Sequence, residues 1–484
     1  MTLYYKKYKM KFFDAKQDNF KSFIFERRKL ELNFSADIQH DLEIIRNKII
    51  EEKDNALSFY TERFDKVCIN PDEFEIKEKD KKSALDFLSN DERKILEKTI
   101  KRVFDYHSKQ KIKTWFSFDN CESAEENFIG SINNNFAENS KFNCDNNNVN
   151  NNVNNSGNII TPGIITGQLI SPLQRVGIYV PGGKASYPSS VIMNAIPAKA
   201  AGVKELIMVT PPSDKLNNYV IASAVLCGVD KIYRIGGPQA IFALAYGTET
   251  IPAVDKIVGP GNIYVATAKK MVYGDVDIDM IAGPSEIAVI CDEFANPDKA
   301  AIDLISQAEH DEMAVSTLIT NSFDLIENVK KSLEKLIIKE ERKNIIEKSL
   351  DSNGSLVLTC SVDESINIAN ALSPEHLELY IRNPFEKLFL IKNAGAVFLG
   401  ENTPEAIGDY IAGPSHVLPT GGTARFFSPL DTVSFLKRTS VIFSTEDFLN
   451  KNAKDIKFFS DIEGLGAHGN SVLMRLTQTD KEIY

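Results

Sequence analysis

Four of the six histidines lie in short polar segments in the C-terminal half of the chain. Each of these histidines has a carboxylate or an amide side chain within seven residues of it. Imidazole nitrogens and carboxylate or amide oxygens can together bind a zinc-class ion, and a histidine that is not a ligand can transfer protons. The pattern therefore predicts a metal-assisted enzyme. The segments are Ser306–His310, Ser373–His376, Gly408–His416 and Glu463–His468.

The first two segments are predicted to lie at helix ends. Gln307 and His310 are three residues apart in a predicted helix over Ala300–His310, so both could bind one metal ion from the same face. A polar helix end with a capping histidine is the alternative. Ser373–His376 has the pattern of a helix start, with serine at the N-cap, proline next and an acid in the first turn. The positive end of that helix would keep His376 neutral, as a general base must be.

The other two segments lack helical spacing. Asp409 lies among glycines and a proline, which predicts a loop, and loops set on rigid sheets are where sites are built. Glu463 and His468 are five residues apart, which is not the spacing of one helix face and predicts an extended or turning segment. Each segment alone could be solvated surface. The metal prediction therefore depends on all four segments occurring together.

Three glycine-marked turns each follow a predicted strand. None of them completes the G-x-x-x-x-G-K-[ST] motif, and no G-x-G-x-x-G occurs in the expected place. Backbone N–H groups in such turns can approach a phosphate, and open α/β sheets bind ligands at the carboxyl ends of their strands. Together the turns favour a nucleotide or another phosphate-bearing ligand, with ordinary βα turns as the alternative. They are Tyr179–Lys184, Gly236–Gln239 and Val258–Asn262.

Short β-branched runs alternate with stretches of helical length from Arg175 onward. This rhythm is typical of parallel βαβ units. It predicts an α/β fold with two doubly wound, incomplete Rossmann-like parallel-sheet domains and small helical N-terminal and C-terminal extensions. The predicted strands are Val176–Val180, Leu206–Thr210, Ile232–Ile235, Lys256–Val258, Ile287–Cys291, Val315–Thr320, Leu356–Thr359 and Ala396–Leu399, with helices at Pro188–Ala201 and Asn218–Cys227.

Residues 35–115 are predicted to be helical, because Asp37–Lys53 and Ser89–Lys109 carry apolar residues at three- and four-residue spacing. Ser89 and Glu92 form the pattern of a capping box at the start of the second helix. Asparagine makes up 14 of the 26 residues from 133 to 158. Such a tract buries too little apolar surface to offset the entropy of ordering it, which predicts a disordered surface insertion.

The composition is typical of a globular protein, with 43% hydrophobic and 25% charged residues. A net charge of −11 opposes binding to nucleic acid or anionic membranes, and no apolar run approaches the roughly 18 residues of a membrane span. The scattered cysteines include no C-x-x-C pair, and the N-terminus lacks the apolar core of a secretory signal. These features favour a reducing, cytoplasmic compartment. Asp14 and Asp18 disfavour the alternative of an organellar leader.

The chain resembles the histidinol dehydrogenase family from about Leu42 to Leu476, apart from the asparagine-rich insertion. The first 30 or so residues also depart from the family pattern. The resemblance is densest in Arg175–Ala201, Gly236–Glu286, Leu304–Asp311, Ser373–Leu379 and Ala394–Thr423.

The resemblance implies a role for each motif. Glu375 and His376 match the proton acceptors of the family, and His416 matches a residue to which we assign a supporting role. The implied ligands of one zinc ion per subunit are Gln307, His310, Asp409 and His468. The implied NAD contacts are Tyr179, Gln239 and Asn262. The implied substrate contacts are Ser285, Gln307, His310, His376, Asp409, Glu463 and His468.

The activity implied by the resemblance is the oxidation of L-histidinol to L-histidine through bound L-histidinal, with two NAD, as the last step of histidine biosynthesis. The resemblance also implies a homodimer with sites shared between subunits, in which the C-terminal tail crosses to the partner.

Five parts of the chain are predicted on these grounds. They are an N-terminal extension (1–34), a helical part of the first large domain (35–174), an NAD-binding domain (175–285), a second domain with the metal and catalytic residues (286–430) and the tail (431–484). The alternatives are a zinc- and NAD-dependent alcohol or diol dehydrogenase with another substrate, a catalytically silent metal- or nucleotide-binding protein, and an adaptor. Glu375 and His376 favour catalysis over the last two.

Overall fold

The computed structural model describes residues 9–16, 22, 24, 36–118, 163–182, 187–213 and 217–476. The predicted disordered insertion at 133–158 lies outside these residues. The chain forms two compact units, which are Met1–Lys111 with Pro172–Phe435 (unit 1) and Ile112–Ser171 with Leu436–Tyr484 (unit 2). The domain boundaries given above stay predictions.

Three helices precede the first sheet of unit 1, and their bounds are α1 (Ala36–Asp65), α2 (Glu78–Phe87) and α3 (Asn90–Ser108). Helix α1 is interrupted at Lys53, where φ is 50°. The predicted capping box of α3 is confirmed, because the Ser89 hydroxyl accepts from the Glu92 N–H and the Glu92 carboxylate accepts from the Ser89 N–H.

The first sheet has five parallel strands in the order β6-β5-β4-β7-β8. Both of its faces are covered by helices, so its strands are nearly continuous apolar runs, and Val176 and Ile178 are fully buried. The strands are β4 (Arg175–Tyr179), β5 (Glu205–Val209), β6 (Lys231–Tyr233), β7 (Lys256–Val258) and β8 (Asp277–Ile278). The helices are α4 (Pro188–Ala201), α5 (Asn218–Leu226), α6 (Gly237–Tyr246) and α7 (Ile263–Val272).

The second sheet has six parallel strands in the order β1-β11-β10-β9-β12-β13. Ile287 and Val289 pack into the core on one face, and Ala288 and Ile290 pack into a separate core on the other. The strands are β1 (Lys11–Asp14), β9 (Glu286–Cys291), β10 (Val315–Thr320), β11 (Ser355–Leu358), β12 (His376–Tyr380) and β13 (Ala396–Leu399). The helices are α8 (Pro297–Ala308), α9 (Phe323–Leu336), α10 (Lys343–Asn353), α11 (Val362–Leu372), α12 (Pro384–Lys387) and α13 (Glu405–Tyr410).

The prediction of two doubly wound parallel sheets is confirmed, and each of the eight predicted strands coincides with an observed strand to within two residues at either end. Strands β1, β8 and β12 were not predicted. Strand β1 lies in the predicted N-terminal extension and forms the edge of the second sheet beside β11.

The predicted helix start at Ser373 is wrong. Ser373 instead ends α11 in a left-handed conformation (φ 54°), and its hydroxyl donates to the Asn370 carbonyl. The chain then enters β12 at His376, because pairing with β9 and β13 on either side satisfies its backbone groups.

Unit 2 contains the strands β2 (Trp115–Phe118), β3 (Ile164–Pro172) and β14 (Leu436–Ser444), in the order β14-β3-β2. Its helices are α14 (Glu446–Ile462) and α15 (Gly466–Leu473), which share a small core around Ala453 and Val472. None of the described helices in either unit is long and apolar enough to cross a membrane.

Candidate active site

A cluster of polar side chains lies at the amino edge of the second sheet, where β9 and β12 begin. The Glu375 carboxylate accepts a hydrogen bond of 2.9 Å from the Glu286 N–H. The Nδ1 atom of His376 lies 3.2 Å from the Glu286 carbonyl oxygen. Because β9 and β12 are neighbours in register, these bonds hold Glu375 and His376 rigidly at one point of the sheet.

His376 is buried, and burial lowers its pKa to about 3, so the ring is neutral near neutral pH. If Nδ1 donates to the Glu286 carbonyl, Nε2 carries the lone pair. Among the described residues Nε2 has no hydrogen-bond partner. A neutral ring with a free Nε2 can accept a proton. Neutrality was expected from a helix N-terminus, but its cause is burial in the sheet.

Glu375 is also buried, and burial raises its pKa well above the usual range, while the Glu286 N–H opposes this shift. A carboxylate with a raised pKa is a stronger base once it has lost its proton. Glu375 and His376 thus place two groups with shifted pKa values side by side, 3.7 Å apart from Oε2 to Nδ1.

Gln307 and His310 approach the cluster from the C-terminal end of α8. Gln307 is fully buried, and with its amide nitrogen turned toward Glu405 it lies 3.2 Å from both oxygens of that carboxyl group. The predicted helix over Ala300–His310 is too long, since α8 ends at Ala308. His310 lies in the turn that follows, where its N–H donates to the Gln307 carbonyl.

Asp409 lies on a short helix, α13, and the predicted loop is wrong. The four-residue spacing of a helix places Glu405 and Asp409 on one face. Donor atoms of His310, Glu405 and Asp409 all lie within 4.8 Å of one another. Glu405 is buried and its Oε1 is 3.5 Å from His376 Nδ1. Sequence reasoning missed Glu405, although its spacing from Asp409 would have revealed it had a helix been predicted.

The electrostatics of this group suit a cation. Burial raises the pKa of Asp409 to about 6, and His310 opposes that shift. The pKa of His310 is lowered by loss of hydration of its ring, although the residue as a whole is exposed. Burial likewise lowers the pKa of His416 to about 4, and its Nδ1 lies 3.8 Å from Asp409 Oδ1. Buried carboxylates beside neutral imidazoles are the donor set that zinc binds.

The three predicted nucleotide contacts lie at the carboxyl edge of the first sheet. The Tyr179 hydroxyl, at the end of β4, accepts a 3.2 Å hydrogen bond from the Gly237 N–H, and burial raises the pKa of Tyr179 to about 12. Gln239 is fully buried, and neither of its amide atoms has a partner among the described residues. Asn262 caps α7 by accepting from the N–H groups of Tyr264 and Val265. A buried amide without a partner fits a ligand that supplies one.

The remaining predicted contacts are in separate places. Ser285 is half-buried and directly precedes β9, beside Glu286. Glu463 and His468 belong to unit 2, where both are exposed. Glu463 follows α14, and His468 lies in the first turns of α15, so the turn predicted between them is present but His468 is helical.

Comparison with known proteins identifies the family. The family model described as histidinol dehydrogenase matches residues 28–135 and 119–476. A histidinol dehydrogenase of Bacillus cereus is 46% identical over 90% of this chain and 92% of its own length, and one of Caldanaerobacter subterraneus is 47% identical over 93% and 94%. The crystal structure of histidinol dehydrogenase from Elizabethkingia anophelis is 30% identical with a TM-score of 0.83, and the match covers 97% of this chain and 99% of that one. The chain therefore belongs to the histidinol dehydrogenase family of oxidoreductases.

Proposed function

We propose that this protein oxidises L-histidinol to L-histidine through bound L-histidinal, with two NAD, as the last step of histidine biosynthesis. The observation that carries the proposal is the neutral, buried His376, whose Nδ1 lies 3.5 Å from Glu405 Oε1 and whose Nε2 has no partner among the described residues. Glu405 belongs to the metal-binding group that it forms with His310 and Asp409. A proton acceptor in the same cluster as a cation site is what an alcohol oxidation needs.

Zinc is the proposed metal, with Gln307, His310, Asp409 and His468 as the proposed ligands. Zinc, when bound, supplies a Lewis-acidic anchor that fixes the carbinol carbon of the substrate. Glu405 is a further carboxylate within reach of the same ion. NAD, when bound at Tyr179, Gln239 and Asn262, accepts the hydride in each oxidation.

In the first oxidation, His376 removes the hydroxyl proton at Nε2 while the carbinol carbon loses its hydride, which yields the aldehyde. The Nδ1 bond to the Glu286 carbonyl keeps the ring oriented as it gains the proton. Glu375 then takes a proton from the water that adds to the aldehyde carbon, while His376 returns its proton to the carbonyl oxygen, which yields the hydrate. Loss of a second hydride from the hydrate, with one hydroxyl proton passing to His376 and the other to water, gives the carboxylate of histidine. Ser285 and Glu463 are the proposed further substrate contacts, with His416 supporting Asp409.

The first experiment measures NADH formation from L-histidinol by the zinc-loaded protein, before and after chelation. Two NADH per histidinol, lost on chelation and restored by zinc, is the expected result. If zinc and NADH bind but histidinol yields no NADH, while simple alcohols or diols do, the alternative of a related alcohol or diol dehydrogenase replaces the proposal.

We further propose a cytoplasmic homodimer in which the tail carries Glu463 and His468 into the partner's site. Mixing His376→Asn subunits with His468→Asn subunits tests this, because only a crossing tail leaves one intact site in each mixed dimer. Random mixing should then restore about a quarter of wild-type turnover. A mixture as inactive as its two components would refute the crossing.

A further inference from the structure

A buried ion pair lies at the carboxyl edge of the first sheet. Lys269 of α7 and Asp279, which follows β8, pair with side chains only 3% and 1% exposed. Burying two charges costs about as much hydration energy as their attraction returns, so such a pair contributes little net stability. Its presence needs another physical reason.

Both members of the pair bind the backbone of Gly259. The Lys269 ammonium donates to the Gly259 carbonyl oxygen at 2.9 Å, and the Asp279 carboxylate accepts from the Gly259 N–H at 2.8 Å. Asp279 also accepts from the Met280 N–H at 2.6 Å, which anchors it to the segment that follows β8. One residue of the turn is therefore held at both of its peptide groups by opposite charges.

The held residue is the point at which the nucleotide-contact segments meet. Gly259 has a φ of +112°, and a Cβ there would lie 2.1 Å from the Tyr179 carbonyl oxygen, so the turn is in close contact with the end of β4. The Tyr179 hydroxyl accepts from the Gly237 N–H at the start of α6. Asn262 follows Gly259 by three residues and caps α7. A shift of Gly259 would therefore move Asn262 relative to Tyr179.

We infer that Lys269 and Asp279 are positioning residues for the nucleotide site, which act by clamping Gly259 and thereby fixing Asn262 against Tyr179. The inference rests on the proposed function, because it assumes that NAD binds at this edge. Neither side chain touches the nucleotide in this scheme. The pair acts through the turn, as supporting residues orient the ligands of other sites.

A second ion pair, between β7 and β8, provides a control. Lys256 and Asp277 open β7 and β8 and form an ion pair of 2.6 Å, with side chains 7% and 51% exposed. Among the described residues, neither side chain bonds to the turn from Gly259 to Asn262. Loss of this pair removes an ion pair between β7 and β8 and leaves the clamp in place.

The test compares Lys269→Met/Asp279→Leu with Lys256→Met/Asp277→Leu in the full-length, zinc-loaded protein. NADH affinity is measured by fluorescence titration, together with KM for NAD and for histidinol, zinc content and Tm. The clamp variant should weaken NADH binding and raise KM for NAD by about tenfold or more, since small misplacements of binding groups carry large penalties. Zinc content and KM for histidinol should not change, and the control variant should bind NADH within about twofold of wild type.

Two further readouts separate positioning from general stability. Lys269→Met alone leaves a buried carboxylate unpaired and should lower Tm, whereas the double variant should regain Tm without regaining NADH affinity. If the double variant does not fold, Asp279→Asn replaces it, because asparagine keeps an acceptor for the Gly259 N–H but loses the pairing charge. Its NADH binding should be measurably weaker at unchanged zinc content.

Two outcomes are distinguishable failures. Failure of the wild-type protein to bind NADH would refute the proposed function itself. Wild-type protein that binds NADH, with clamp variants that bind it equally well, overturns the positioning role and leaves the proposed function intact.

Discussion

The two parallel sheets of unit 1 share one strand order but carry their candidate sites at opposite edges. In chain order the first sheet runs third-second-first-fourth-fifth (β6-β5-β4-β7-β8), and the second repeats this order in β11-β10-β9-β12-β13 with β1 added. The predicted nucleotide contacts follow strand ends, whereas Glu375 and His376 lie where β12 begins. Topology alone therefore does not decide which edge carries chemistry.

The ends of the helices account for the difference. At the carboxyl edge of the first sheet, α6 and α7 begin, and the positive dipole ends of these helices suit a phosphate. At the amino edge of the second sheet, α8 ends near Gln307 and His310, and a negative dipole end with nearby carboxylates suits a cation. Each edge thus matches the charge of its proposed ligand.

The largest expected effect is on catalysis at the second sheet. His376→Asn should lower turnover by about 10²- to 10⁴-fold, the usual contribution of a general base. Zinc and NADH binding should persist, because His376 is a proposed ligand of neither. His416→Asn is the matched control and should lose less turnover. Normal turnover of His376→Asn would refute the assignment of the base.

The second largest expected effect is on zinc binding, and it follows from a substitution at the second sheet. Asp409→Asn should reduce zinc affinity by more than about tenfold, measured as zinc retained after dialysis, since it removes a buried carboxylate from the ligand group. NADH affinity should be unchanged, because the first sheet is not altered. Zinc content equal to wild type would remove Asp409 from the ligand set.

Substitution at the first sheet should have a weaker effect. It should change NADH affinity and leave zinc binding unaltered, which is the reverse of the Asp409 variant. Asn262→Ala should raise the Kd for NADH several-fold at constant zinc content, and loss of its helix cap should cost about 1 kcal/mol of stability. Asn217→Ala removes an equivalent cap from α5 and is the matched control. Equal loss of NADH affinity in both variants would mean that Asn262 acts only as a cap.

The smallest expected effect is on the pH dependence of protein stability, and it arises from Glu378 in the second sheet. Glu378 is fully buried in β12, and burial and the neighbouring Asp303 raise its pKa well above the usual range. Because the pKa of Glu378 is higher in the folded than in the unfolded protein, protonated Glu378 favours folding at low pH. This contribution to stability is lost as the pH rises through the pKa of Glu378 in the folded protein. Glu378→Gln carries no titrating proton, so its Tm relative to wild type should increase from about pH 5 to about pH 9.

The exposed Glu293→Gln is the control for this series and should follow wild type at every pH. A Glu378→Gln profile parallel to that of wild type would show that Glu378 does not titrate differently in the fold.

Much of the fold was predictable because its signals are local. The strands of the first sheet are apolar runs between glycine-marked turns, and the capping box at Ser89 needs only four residues. Strand β12 was missed for the opposite reason. Its residues after Ser373 and Pro374 have the local pattern of a helix start, and only pairing with β9 and β13 makes them a strand.

The sequence by itself determined the strand and helix rhythm, the glycine turns and the residue types that suit a zinc and NAD enzyme. Tertiary structure decided which of these residues are buried and which residues distant in the chain come into contact. It buried His376 so that its ring stays neutral, brought Glu405 beside it and clamped Gly259 between Lys269 and Asp279. Burial and long-range contacts depend on which elements pack together, because the removal of a group from water is a property of its surroundings and not of its neighbours in the chain.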